Sequence, residues 1–176
     1  MKKLFTLLLV TSILISCTGE QGPPGPQGPY IVGNVFEIEN VDFNVSNDFS
    51  FFGYFNEFIP QVEIYTSDVV LVYLWEGMDN GNDIWSLMPQ TFYMTDGGIL
   101  EYNFNHTDED FAIYLNGNGN FANLDPSYTQ DQIFRIAILP ADFAQNNNVD
   151  ITNIYDVMSA LEITSEKNIQ TLEVAK

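Results

Sequence analysis

The sequence has few of the residues on which most protein chemistry depends. Its 176 residues hold one cysteine, Cys17, and one histidine, His106. A lone cysteine excludes disulfides within the chain, cysteine-rich zinc sites and dithiol redox chemistry. A lone histidine excludes a multi-histidine metal centre. Cations are scarce too: five Lys and Arg against 24 Asp and Glu give a net charge of −19. Two of the five, Lys2 and Lys3, sit in a segment that reads as a cleaved signal, leaving Arg135, Lys167 and Lys176 against 24 acids, a net −21. Nucleic-acid binding needs clustered cations to displace phosphate counterions, and three scattered ones do not supply them. Attraction to anionic lipid fails on the same ground. The N-terminal apolar stretch Leu4–Ile15 has only twelve residues, short of the ~20 that a membrane span needs.

What the N-terminus does contain is an address. Lys2 and Lys3 followed by Leu4–Ile15 match a secretory signal over residues 1–16. Leu14-Ile15-Ser16-Cys17 has the form of a bacterial lipobox, with a small residue at the cut and a thiol directly after it. The Cys17 thiol is then the lipidation site, and two or three acyl chains anchor stably where one is marginal. A secreted protein with a chance cysteine is the competing reading. Residues 17–30 continue with four G-x-y triplets from Gly19 to Tyr30, holding four of the 12 glycines and four of the 8 prolines. Only glycine fits a collagen axis, so the period has physical meaning. Four triplets are few to register three chains, however. They read first as a polyproline II spacer of roughly 35 Å, with a trimerising triple helix or a plain linker as alternatives.

From residue 31 to 176 the texture is that of strands. Hydrophobic residues are 45% of the chain, with 14 Phe and 9 Tyr, enough for a sizeable core. Phe36 and Ile38 alternate with acids, then Val41, Phe43 and Val45 continue on the opposite parity, which predicts a bulge near Asn40. Asp68–Trp75 is nearly all apolar, the mark of a strand covered on both faces. Leu100, Tyr102, Phe104 and His106 share one face, with Glu101, Asn103 and Asn105 opposite. Further strands are expected at Phe49–Phe55, Val62–Tyr65, Ile84–Met88, Thr91–Met94, Phe111–Leu115, Gln132–Leu139 and Ile169–Val174. One helix is expected, from the spacing of Ile154, Val157, Met158 and Leu161, with Thr152 or Asn153 as its cap. About nine or ten strands and one short C-terminal helix, without βαβ alternation, predict an all-β antiparallel sandwich, jelly-roll or immunoglobulin-like.

Candidate chemistry is sparse. Asp79-Asn80-Gly81-Asn82-Asp83 resembles the start of a calcium loop, with Asp79, Asn80 and Asp83 as oxygen ligands, but the EF-hand glutamate position is taken by Gln90. A hairpin turn is the plainer reading. His106 is followed by Asp108, Glu109 and Asp110, a set that could hold a divalent metal or use His106 as a base. A solvated loop at a strand end is the commoner reading, and the spacing matches no known ligand template. Gly117 to Ala122 formally satisfies G-x-G-x-x-A, yet Asn123-Leu124-Asp125-Pro126 follows where a helix is required, so it reads as a turn. No G-x-S-x-G occurs, and paired carboxylates for a hydrolase cannot be located by pattern. The expectation is a non-enzyme. Trp75, Trp85, Tyr93, Tyr102, Tyr114 and Tyr128 are candidates for a glycan-stacking platform, though most have the phase of core residues. Arg135, a lone cation in an apolar strand, is expected to pair with a buried carboxylate.

The lipobox through Cys17, the G-P-P-G-P-Q-G-P segment, V-F-E-I-E-N-V-D-F at 35–43 and L-V-Y-L-W at 71–75 carry a family resemblance. So do D-I-W-S-L-M-P-Q-T-F-Y at 83–93 and Q-I-F-R-I-A-I-L-P-A-D-F at 132–143. The chain resembles the collagen-like lipoproteins of Bacteroidetes, flavobacteria in particular. The resemblance implies a lipid-anchored envelope protein in the outer membrane, on its periplasmic or surface face, since Thr18 is not the aspartate that retains lipoproteins in the inner membrane. It implies no activity. Two functions follow as expectations. One is a binding or interaction module with a glycan or protein partner, held at the membrane through lipid on Cys17. The other is a calcium-dependent trimeric structural or adhesive protein.

Overall fold

The structure is a computed structural model and describes residues 33–141, 143, 149–163, 165 and 169–174. The signal segment 1–16, Cys17, the G-x-y triplets, Lys167 and Lys176 lie outside the described residues. These contain nine strands: β1 (Asn34–Val41), β2 (Ser50–Tyr54), β3 (Val69–Asp79), β4 (Asn82–Leu87), β5 (Gln90–Tyr93), β6 (Ile99–His106), β7 (Asp110–Gly117), β8 (Gln132–Leu139) and β9 (Gln170–Glu173). A single helical turn, α1 (Phe55–Phe58), follows β2, and α2 (Ile154–Ala160) lies between β8 and β9. One sheet has the order β4-β3-β8-β1-β9 and the other β2-β7-β6-β5. They face each other as an all-β sandwich.

Alternation along the strands builds the layer between the sheets. Phe36, Ile38, Val72, Leu74, Phe134 and Ile136 of the first sheet meet Leu100, Tyr102, Phe111 and Ile113 of the second. The Phe111 ring is the hub, with Phe36, Phe51, Phe55 and Phe58 all within about 5–6 Å centroid to centroid. The expected bulge is present: the β1–β8 register shifts between Ile38 and Val41, and Asn40 takes a left-handed φ of 61°. Asn tolerates that conformation better than most residues, and the extra residue flips the side-chain parity.

The apolar runs of β3 and β8 are explained by a second core on the opposite face. Leu71, Tyr73, Ala137, Leu139 and Val35 lie under Ile154, Val157, Met158 and Leu161. A seven-residue helix is marginal alone. Burying its apolar side chains at roughly 1.5–3 kcal/mol each outweighs that deficit. Asn153 caps it, its side chain accepting from Tyr155 N at 3.0 Å. Arg135 lies on this face, buried as expected. Its Nε and Nη2 donate to Glu37 Oε2 at 3.0 and 2.8 Å, its guanidinium sits 4.1 Å from the centre of the Trp85 ring, and Nη1 is 3.6 Å from Met158 Sδ.

Three expectations are corrected. β9 pairs parallel to β1, not antiparallel (Phe36↔Gln170 to Glu39↔Glu173). β8 ends where β1 begins, at the Asn34↔Ile138 pair, so a last strand entering from that half runs with β1. Residues 62–65 form no strand; Val62 and Ile64 pack against the inter-sheet core from a loop. Val45 does not extend the β1 alternation. Asn44 opens a 3-10 turn there, capping Ser46 N at 2.9 Å, and Asp48 and Phe49 follow in left-handed conformation.

Candidate functional site

At one end of the sandwich the sheets part into a cleft of about 460 Å³, within the usual size range of small-molecule sites. Its wall on the first sheet is the end of β3, where Leu74 and Glu76 follow the inward parity of Val70 and Val72. The β3–β4 register shifts between Trp75 and Gly77, and Gly77 takes a φ of 124°. That bulge ends the close-packed run and leaves the Glu76 carboxylate exposed at the rim. On the second sheet, β5 pairs with β6 through Gln90↔Tyr102 and Phe92↔Leu100, which places Phe92 beside Tyr102. The rings meet edge to face: Phe92–Tyr102 at 5.7 Å and 78°, Phe92–Tyr128 at 5.8 Å and 67°.

The third wall is the 3-10 turn Pro126–Tyr128 and the entry to β8. Several hydrogen bonds hold this turn. Asp125 caps it by accepting from Ser127 N at 2.9 Å, and these bonds keep its carboxyl below the ordinary value. Gln132 Nε2 donates to Ser127 O and Gln130 O at 3.0 and 2.7 Å. The buried Tyr102 hydroxyl donates to Tyr128 O. Burial pushes that hydroxyl well above its usual pKa, so it remains a donor throughout the physiological range. Asp131 N donates to Asp42 Oδ1 at 2.9 Å, tying the turn back to the end of β1. Ser127, Gln130 and Asp131 form the polar lip together with Glu76. No lysine, arginine or histidine is among the described lining residues.

The aromatic candidates do not form one platform. Tyr102 and Tyr128 converge in the cleft, where Trp75 contributes to the wall. The Trp75 indole N–H donates to Asp83 Oδ1 at 2.8 Å. Trp85 lies under Arg135, its indole nitrogen buried without a hydrogen-bond partner. Tyr93 is 81% exposed on edge strand β5. Tyr114 pairs with Ser50 and Asn103 on the outer face of the second sheet.

The oxygen-rich loop is the two-residue turn of the β3–β4 hairpin. Asn80 and Gly81 have φ of 51° and 85°, as a type I′ turn requires, and Asp79 pairs with Asn82. Asp79 Oδ1 accepts from Asn80 Nδ2 at 3.1 Å, and Asp83 Oδ1 is taken by Trp75. His106 is exposed at the end of β6, its Nδ1 2.9 Å from Thr107 O. Thr107 Oγ1 donates to Asp110 Oδ1 and accepts from the amides of Glu109 and Asp110, which accounts for that acidic run as a turn. The G-x-G-x-x-A segment is a turn as well. Gly117 has a φ of 137°, and Asn118 Oδ1 accepts from Ile99 N at 2.7 Å. Among the described residues, no group of three or more His, Cys, Asp or Glu is placed to hold a metal ion, and no helix is long and apolar enough to cross a membrane.

Glu76, Phe92, Gln130 and Asp131 escape sequence reasoning because they meet only through strand register. The one local signal is Gly77, a glycine closing an apolar strand run, which marks the bulge beside Glu76. No protein-family model, curated protein or solved structure matches this chain.

Proposed function

We propose that this chain is a lipid-anchored envelope protein whose sandwich is a non-enzymatic binding module, with the end cleft as its ligand site. The observation that carries the reading is the cleft itself. Four aromatic residues, Trp75, Phe92, Tyr102 and Tyr128, and a hydrogen-bonded turn line about 460 Å³ beside an acidic, amide-bearing lip. The turn is fixed before any ligand arrives, so little ordering entropy opposes binding. The signal-like start and the Cys17 lipobox support the envelope location, and the strongly acidic composition supports solubility in an ionic medium.

The test is a thermal-shift screen of the purified chain against sugars, amines, amino acids and nucleosides. A ligand at a hundredfold excess over its Kd adds about 2.7 kcal/mol to stability, which raises Tm by several degrees. The Ser127→Trp variant, which places a bulky ring at the mouth of the cleft, is expected to abolish the shift. Absence of any shift across all four classes would overturn the reading. Palmitate labelling that disappears in Cys17→Ala tests the anchor separately.

A further inference from the structure

We infer that the cleft receives an organic ammonium group, carried by a free amine or by a lysine side chain of a peptide. This rests on the reading of the cleft as a ligand site and names its ligand chemistry. Three features of the lining point the same way. The first is charge. The exposed Glu76 carboxylate brings formal negative charge to the rim, and no described lining residue is a cation. The one cation of the described core, Arg135, is engaged by Glu37 on the other face of the first sheet. Phosphates, sulfates and acidic sugars therefore meet repulsion from Glu76 and find no cation among the described lining residues. The whole chain, at −19, adds a field that concentrates cations at its surface.

The second feature is ring geometry. A sugar-stacking platform presents a broad, open ring face. Here Tyr102 is only 1% exposed, Phe92 and Tyr128 are half-buried, and Phe92 stands at 78° and 67° to the other two. Rings set at steep angles make a corner. Tyr102 backs this corner from within the core, and the half-buried Phe92 and Tyr128 rings, set 67° apart, are the two a compact cation can reach. The third feature is the polar complement. Gln130 lines the same cleft and offers an amide to the remainder of the ligand, whereas the Ser127 side chain is bonded to Asp125 and Gln132 is committed to the turn.

Calorimetry with the purified chain at low ionic strength tests this with choline, spermidine, a trilysine peptide and cellobiose. A fifth probe is the carbon isostere of choline, in which carbon replaces the quaternary nitrogen. Choline or spermidine is expected to bind, and the carbon isostere of choline to bind at least about tenfold more weakly than choline, the scale of a desolvated cation–π contact. Trilysine binding more tightly than both free amines identifies a peptide source, and the reverse identifies a free amine. Glu76→Gln alters an exposed side chain and leaves the fold intact by circular dichroism. It is expected to weaken ammonium binding about fivefold and to flatten its salt dependence. Equal affinity for choline and its isostere, or binding of cellobiose alone, would overturn the ammonium assignment and leave the cleft as a ligand site of another class. Silence from every probe overturns the assignment, and silence across the wider thermal screen overturns the ligand site with it.

Discussion

Replacing Arg135 with alanine strands a carboxylate inside the protein. Glu37 is 9% exposed, and both hydrogen bonds that Arg135 makes to it converge on Oε2. Truncation removes those bonds and the contact with the Trp85 ring, and it leaves Glu37 to bear its desolvation alone. Breaking one side of such a pair costs about 3–5 kcal/mol. With a urea m-value near 2 kcal/mol/M, the midpoint of unfolding falls by about 2 M. Trp85, 4.1 Å from the guanidinium, gives a fluorescence reporter at the site. The double variant Glu37→Leu/Arg135→Met removes both charges and keeps the volume, so it is expected within about 1 kcal/mol of the parent. The sign of the pH dependence is fixed as well. Burial raises the Glu37 carboxyl above 4.5, and Arg135 pulls it part of the way back. A carboxyl whose folded value exceeds its unfolded value favours the fold most when protonated. Its contribution is lost as pH climbs from 4.5 through the folded value. Without Arg135 the folded value rises further, so the Arg135→Ala deficit is largest at neutral pH and shrinks toward about pH 5. A deficit below about 1 kcal/mol, or a double variant as unstable as the single, would refute the reasoning.

Two further outcomes follow from named contacts. Gly117→Ala is expected to lose more than about 2 kcal/mol, because φ is 137° and the new Cβ would lie 2.0 Å from Ile99 O; an unchanged Tm would show that the β6–β7 end relaxes freely. Tyr102→Phe leaves the Tyr128 carbonyl without its buried donor. It is expected to cost about 1–2 kcal/mol and to weaken ligand binding through a loosened turn, which denaturation and calorimetry on the same sample separate.

The parts of the fold legible in the sequence are those fixed by local alternation. Gln132–Leu139 is predicted and found with the same bounds, the Asn40 bulge follows from a parity switch between Ile38 and Val41, and α2 follows from four apolar residues at helical spacing. What escapes depends on long-range pairing. The parallel place of β9 beside β1 is set by where β8 ends, which no window of sequence records. Val62 and Ile64 look like strand residues, yet they bury their side chains from a loop. The cleft divides in the same way. Tyr102 and Tyr128 stand out as aromatics, but Phe92 joins them only because Gln90 registers with Tyr102. The Asp79–Asp83 run shows how an oxygen-rich motif arises from the needs of an I′ turn and an indole partner.

The parallel run of β1 and β9 gives the molecule a top and a bottom. The chain enters β1 at Asn34, opposite Ile138, and reaches Val41, opposite Gln132, at the end where the cleft opens. Eight residues of strand separate the two ends by roughly 20–25 Å. The start of β1 therefore lies at the end away from the cleft. β9 travels the same way and finishes at Glu173, beside Glu39, on the cleft's end. A surface coupled at the Asn34 end of the sandwich leaves the mouth facing solution, whereas one coupled at the Glu173 end brings it against the support. The two orientations of an immobilised sample are thus unequal, and a binding signal seen in only one of them is to be expected.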